Sequence, residues 1–198
     1  MSQQEKYKII LLGEIGVGKS RIISQFLEGK FDPNLAGVDF YRKTIDLTNN
    51  KKLTLDIWDT LGREKYHSIP PSFYYNVNAI IFVYDITNKK SFEAIKEYWL
   101  EEAKQKCDYI GIKAIVANKN DLYEERQIYD EEGEKLAINI GAIFAKISAK
   151  DNEGIISLFQ NIGQELLDSN ENQIETRKSF KLSNKKKKVE VKCCQNVD

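Results

Sequence analysis

The chain has 198 residues, 41% apolar and 30% charged, and its 30 basic and 30 acidic side chains cancel. That length suits one domain with room for an appendage, able to bury roughly 70% of its unfolded surface without staples. Apolar runs such as Ile9 to Leu12 and Ala79 to Tyr84 fall far short of the roughly 20 residues of a membrane span. No charged-then-apolar leader of secretory length opens the chain. Three cysteines, two of them adjacent, build no disulfide framework and point to a reducing compartment; one histidine without paired Cys/His spacing argues against zinc.

In chain order, Tyr7 to Leu12 reads as a buried strand and Lys19 to Leu27 as a helix. Val38 to Leu47 and Leu53 to Trp58 read as a strand pair, with Asn49-Asn50 near the turn. Ala79 to Tyr84 is a fully apolar strand, and Ser91 to Lys106 a helix with Ser91 as its N-cap. Lys113 to Ala117 is a strand, Asp130 to Ile140 a helix and Ile143 to Ile147 a strand. The last helix, Asn152 to Leu167, starts near the Asp151-Asn152 cap. Short apolar strands alternating with helices imply an α/β fold: a mostly parallel six-stranded sheet with helices on both faces. Periodicity stops after Asp168, which predicts a domain over 1–168 and a tail over 169–198.

Four segments carry chemistry. Gly13-Glu14-Ile15-Gly16-Val17-Gly18-Lys19-Ser20 matches the G-x-x-x-x-G-K-[ST] pattern between a strand and a helix. Glycines let the backbone wrap phosphates, with N–H groups and the helix N-terminus aimed at the anion. Lys19 would reach the β- and γ-phosphates, and the Ser20 hydroxyl would hold Mg²⁺. Asn118-Lys119-Asn120-Asp121 follows a strand, at the sheet end where open α/β folds bind ligands. A carboxylate at Asp121 accepts from N1–H and the exocyclic N2–H of guanine; adenine offers neither donor. Trp58-Asp59-Thr60-Leu61-Gly62-Arg63-Glu64 ends a strand on Asp59, which would hold Mg²⁺ through water, while Gly62 would offer an N–H to a γ-phosphate. Ser148-Ala149-Lys150, just past another strand, is placed to contact the base.

From Arg177 to Lys192 there are eight basic residues against Glu190 alone. Such a run is a solvated tail, or it binds nucleic acid or an acidic membrane. With Phe180 as its one aromatic, it lacks the stacking partners of a single-strand binder. The vicinal Cys193 and Cys194 sit where burial is not expected, and lipid attachment beside a polybasic patch explains both features. A C-a-a-X box needs three residues after the cysteine, whereas Cys194 is followed by four. Cys107 and His67 are assigned no role.

The four motifs, in this order over about residues 7–168, resemble the Ras superfamily of small GTPases. The segments Gly37-Val38-Asp39-Phe40, Leu55 to Thr60, Ser72 to Tyr75 and Tyr84 to Phe92 are similar to Rab segments, as is the Cys-Cys ending. The resemblance implies that Glu14, Ile15, Gly16, Val17, Gly18, Lys19 and Ser20 bind phosphate and that Arg21 belongs to the nucleotide site. It implies that Phe31, eleven residues after Ser20, stacks on guanine. Asn118, Lys119 and Asp121 would bind the base, with Ser148, Ala149 and Lys150 closing over it. Lys19, Gly62 and Arg63 would line the reacting phosphate, and Ser20 and Asp59 the metal. Phe40, Trp58 and Phe73 match the aromatic triad that Rabs present to effectors, although aromatics on strands also serve simply as packing. The family further implies GTP/GDP and Mg²⁺ as cofactors, and effectors, an exchange factor, a GAP and prenylation and escort machinery as partners. It implies no nucleic acid, a monomer, and a lipidated tail on the cytoplasmic face of an intracellular membrane, cycling with the cytosol.

This chain departs from the pattern around the γ-phosphate. Arg63 stands where the family has Gln; Arg only donates, so it cannot orient the attacking water as Gln does. Leu35 occupies the place of a Thr that binds Mg²⁺, in a loop shorter than the family's. Ile15 replaces a small residue, and Leu61 replaces the usual Ala. The expectation is a GTP/GDP switch in vesicle traffic that hydrolyses GTP to GDP and phosphate slowly. The alternative is a GTP-loaded scaffold with little turnover, or drift that a GAP compensates in trans.

Overall fold

The computed structural model describes residues 6–28, 40–47, 51–60, 69–107 and 110–171. Six strands, β1 (Lys6–Leu12), β2 (Phe40–Asp46), β3 (Lys52–Trp58), β4 (Ala79–Asp85), β5 (Ile112–Asn118) and β6 (Ile143–Lys146), form one sheet. Its order is β2-β3-β1-β4-β5-β6. Only the β2–β3 pair is antiparallel, with Phe40 opposite Trp58; the other four pairings are parallel. The expected mostly parallel six-stranded sheet is therefore the observed one.

Alternation along β1 divides the core. Ile9 and Leu11 pack on one face with Ile22, Phe26, Phe159 and Ile162, from α1 (Lys19–Glu28) and the last helix. Ile10 and Leu12 pack on the other with Phe82, Trp99 and Ala137. On the first face Phe26 stacks on Phe159, ring centroids 3.8 Å apart. Every residue of β4 is buried, as a central parallel strand covered on both faces requires. Lys43 of β2 reaches back to the Phe26 and Leu27 carbonyls, satisfying acceptors near the end of α1.

The second face carries α2 (Pro71–Tyr74) and a long helix built from α3 (Lys89–Ala94), a π-helical turn (Ile95–Trp99) and α4 (Leu100–Lys106). Its N-cap is Asn88, whose side chain accepts from Lys90 N. Ser91 is instead a buried first-turn residue whose hydroxyl donates to the Asn88 carbonyl at 2.7 Å and accepts from Asp85 N at 3.0 Å. Asn and Ser are both good caps, so local preference alone did not decide between them.

Helix α5 (Asp130–Ile140) has the expected bounds and ends on Gly141, in the left-handed region at φ 61°. The last helix, α6, spans 155–171 rather than 152–167. Its later start follows from a bridge in which Ser148 and Glu153 exchange backbone hydrogen bonds of 3.1 and 3.0 Å. That hairpin puts Asn152 at φ 59° and Gly154 at φ 74°, both non-helical. The helix runs past Asp168, with Asn170 donating to the Tyr7 hydroxyl at 3.1 Å and Glu171 paired with Lys51. Among the described residues no helix is long and apolar enough to cross a membrane.

Gly133 of α5 shows how tightly the second face is closed. A Cβ there would lie 2.5 Å from both the Phe144 ring and the Tyr84 hydroxyl. Gly133→Ala is expected to destabilise the fold by about 1–2 kcal/mol, because overpacking against two rings outweighs the ~1 kcal/mol of helix propensity that Ala adds. Denaturant unfolding checks this; a stabilised variant would show that the rings yield freely.

Candidate functional site

All five parallel strands end on one edge of the sheet, and the expected motifs lie there in order. After β1 the loop bends through Gly13 (φ 144°), Gly16 (φ 81°) and Gly18 (φ 98°). A Cβ at position 13 would meet the Val83 carbonyl oxygen at 2.2 Å, and one at 18 would meet Asn118 Nδ2 at 2.4 Å. Both glycines are thus required by close backbone approach as well as by φ. Lys19 opens α1 and is only 4% exposed. Its ammonium crosses back over the loop to donate to the carbonyls of Gly13 (2.8 Å) and Glu14 (2.9 Å). Ser20 and Arg21 follow on the exposed side, with Arg21 Nε donating to the Ala149 carbonyl at 3.3 Å. Ile15 is 56% exposed on the loop, an unusual position for a β-branched apolar side chain.

Asn118, at the end of β5, joins three loops. Its Nδ2 donates to the Val17 carbonyl at 2.7 Å, and its Oδ1 accepts from Ala149 N at 3.1 Å. The carboxamide is 1% exposed, so these bonds form out of water, where an unmatched partner is costly. Lys119 next adopts the left-handed region at φ 65° and pairs with Asp85 at 2.5 Å. Asp85 also accepts from the backbone and hydroxyl of Thr87 at 2.9 and 2.8 Å. Asp121 accepts from the Ser148 hydroxyl at 2.8 Å, and its other oxygen lies 3.6 Å from Lys150 Nζ. Ser148 in turn accepts from Asp151 N at 3.0 Å.

Between these loops is a cavity of about 200 Å³ lined by Gly18, Arg21, Asn118, Lys119, Asp121, Leu122, Ala149 and Lys150. Leu122 and Ala149 beside the Asp121 carboxylate suit a ring with an apolar face and polar edges.

Comparison with known proteins decides the family. The Ras family model matches residues 8–168. The chain is 38% identical over 170 residues to Ras-related protein RabC of Dictyostelium discoideum, covering 84% of this chain and 86% of that protein. It is 34% identical over 196 residues to Ras-related protein Rab-30 of Homo sapiens, covering 97% and 96%, and 36% identical over 190 residues to Rab-22A of Mus musculus, covering 94% and 97%. The chain belongs to the Ras family. Within it the resemblance is to Rabs, and the chain is a Rab-like GTP-binding protein by homology.

Ras-family GTPases bind GTP or GDP with Mg²⁺, and the residues of this Rab-like chain fit both. The glycine loop leaves bare backbone where phosphate would lie, and Asp121 is among the residues lining the cavity. For the metal, Asp59 follows β3 at 1% exposure and Ser20 lies at the start of α1. Among the described residues no group of three or more His, Cys, Asp or Glu could cage an ion. A carboxylate and a hydroxyl suit Mg²⁺, which takes its remaining ligands from phosphate and water.

The aromatic triad is contiguous. Trp58 meets Phe40 at 5.3 Å and Phe73 at 5.4 Å between centroids, both edge-on. Phe73 is 4% exposed and belongs to the core, whereas Phe40 and Trp58 are half-buried and offer surface. Lys8 sits 4.5 Å above Trp58 and donates to the Ser72 and Tyr75 carbonyls at 2.8 and 3.0 Å, fastening α2 to the strand. Burial lowers the Lys8 pKa. Phe31, Leu35, Leu61, Gly62, Arg63, His67, Cys193 and Cys194 lie outside the described residues.

Sequence reasoning missed three participants. Asp85 anchors Lys119; an acid closing an apolar strand was the available signal. Arg126 donates to Asn120 Oδ1 at 2.6 Å and Asp130 Oδ1 at 2.8 Å, bracing the turn that carries Asp121. Trp99 donates to Glu14 Oε1 at 3.1 Å, across 85 residues of sequence.

Proposed function

We propose that this chain is a guanine-nucleotide switch of the Rab type, with a domain that closes on its last helix at residue 171 rather than at 168 and a tail beyond it that carries the chain to membranes. The observation that supports it best is the Asn118 junction. One buried carboxamide ties the 13–20 loop and the 148–150 loop to β5 beside a cavity that the Asp121 carboxylate helps line. Lys19 would hold phosphate charge, Ser20 and Asp59 would hold the metal, and Mg²⁺ when bound would shield the phosphates. Asp121 would select guanine, and Ala149 and Lys150 would close the base site. The basic run and Cys193 and Cys194 favour an anionic, lipid-anchored location on the cytoplasmic face of an intracellular membrane, in vesicle traffic. Phe40 and Trp58 would face effectors.

The test is to denature the purified chain and identify the released nucleotide by chromatography. GDP is the expected result, and excess ATP should fail to displace it. A chain that binds no guanine nucleotide at micromolar concentration would sink the reading.

A second reading, a GTP-loaded scaffold with little turnover, is favoured by the exposed Ile15 on the phosphate loop together with Leu35 and Arg63. Bound GTP rather than GDP would support it.

A further inference from the structure

Glu14 presents an electrostatic problem. It stands inside the phosphate loop, and its own backbone carbonyl lies 2.9 Å from the Lys19 ammonium. A carboxylate that swung from that backbone toward the lysine would compete with phosphate for it and repel the anion. The structure shows what restrains it. Trp99 Nε1 donates to Glu14 Oε1 at 3.1 Å, and Trp99 is fully buried.

The indole is held firmly. It closes the π-helical turn, where Leu100 N–H donates to the Ile95 carbonyl five residues back; such single π turns inside α-helices recur at functional sites. Tyr98 packs edge-on against Trp99 at 4.9 Å. The Tyr98 phenol is pushed up by desolvation first, then by Glu102, with Glu14 adding to the shift. The Glu14 charge therefore sits toward the helix. The same helix anchors the chain just before α2. Lys106 donates to the Ile69 carbonyl at 3.3 Å and pairs with the buried Glu102.

We propose that Trp99 is a positioning residue for nucleotide binding: its indole N–H holds the Glu14 carboxylate away from Lys19 and the phosphate cradle. This rests on the guanine-nucleotide reading above. The indole touches no ligand; it acts through Glu14.

Dissociation of fluorescently labelled GDP, measured with Mg²⁺ present, tests it in the full chain. Trp99→Phe removes the donor and should speed dissociation about tenfold, the scale of one hydrogen bond to a charged group. Glu14→Gln alone removes the loop's own carboxylate and sets the reference rate of the cycle. In the W99F/E14Q double variant the rate should return to within about twofold of Glu14→Gln alone. The thermal midpoint should stay lowered in that double variant, since the packing loss is not restored. A purely structural Trp99 would show the opposite: acceleration that Glu14→Gln leaves in place, which overturns the proposal.

Should Trp99→Phe fail to fold, benzothienylalanine at position 99 in a W58F chain keeps the ring volume and lacks only the N–H. It should reproduce the tenfold acceleration, and a rate equal to W58F alone overturns the proposal. A wild-type chain that retains no labelled GDP overturns the nucleotide reading and this inference with it. A chain that retains GDP without the rescue overturns this inference alone.

Discussion

Asn118→Ala is expected to destabilise the chain even without nucleotide, by about 2–5 kcal/mol, as well as abolish tight guanine binding. The figure follows from what the truncation leaves behind. The Val17 carbonyl and the Ala149 N–H lose their 2.7 and 3.1 Å partners in a site that is 1% exposed. Each orphaned buried group costs about 1–3 kcal/mol. Asp121→Ala makes the contrast. Its partners Ser148 and Lys150 lie in the loop after β6, at the proposed base site, and Ser148 keeps its bond from Asp151 N. It should therefore cost about 2–5 kcal/mol in GDP affinity, the scale of the charge-assisted hydrogen bonds that a guanine edge would lose, while nucleotide-free stability moves by no more than about 1 kcal/mol. Denaturant unfolding without nucleotide and calorimetric titration with GDP separate the two. If both variants unfold like wild type, Asn118 is a base contact only, and the three-loop junction is not what holds the site open.

The fold was legible because its signals are local and repeated. Short apolar strands alternating with amphipathic helices specify a covered parallel sheet, and all six strands came within two residues of their expected bounds where described. The glycine-and-lysine loop was legible because close backbone approach to an anion restricts residue type so strongly. What escaped was set by distant partners. Ser91 reads as a cap until Asp85 supplies its second bond. Asn152 reads as a helix start until Glu153 folds back on Ser148. The Lys119–Asp85 pair and the Trp99–Glu14 bond join segments 34 and 85 residues apart, and no periodicity encodes them. Phe73 illustrates the reverse ambiguity: its match to a surface triad is real in sequence, but at 4% exposure it serves packing as well.

Arg63→Gln is expected to raise single-turnover GTP hydrolysis by about 10- to 100-fold, at the low end of what a positioned proton-transfer group contributes. The argument is one of hydrogen-bond capacity. A guanidinium has five donors and no acceptor, so it can neutralise a γ-phosphate but cannot take a hydrogen from the attacking water. A carboxamide both donates and accepts, which lets it hold water between itself and the phosphate. On the proposed reading Leu35 would be a second break in the same machinery, since it has no oxygen to offer where the family places a threonine. Groups that act as a unit are strongly non-additive, so the order of repair is informative. If Arg63→Gln alone gives the gain, the metal site works without the threonine and the chain is a slow switch. If only R63Q/L35T gives it, the loop that closes on Mg²⁺ limits turnover. If neither variant hydrolyses faster while both bind GTP as wild type does, Ile15 becomes the remaining obstacle and Ile15→Gly the next change. A chain that resists all three repairs retains the recognition of a Rab without its clock, and its GTP then serves to hold a surface rather than to time one.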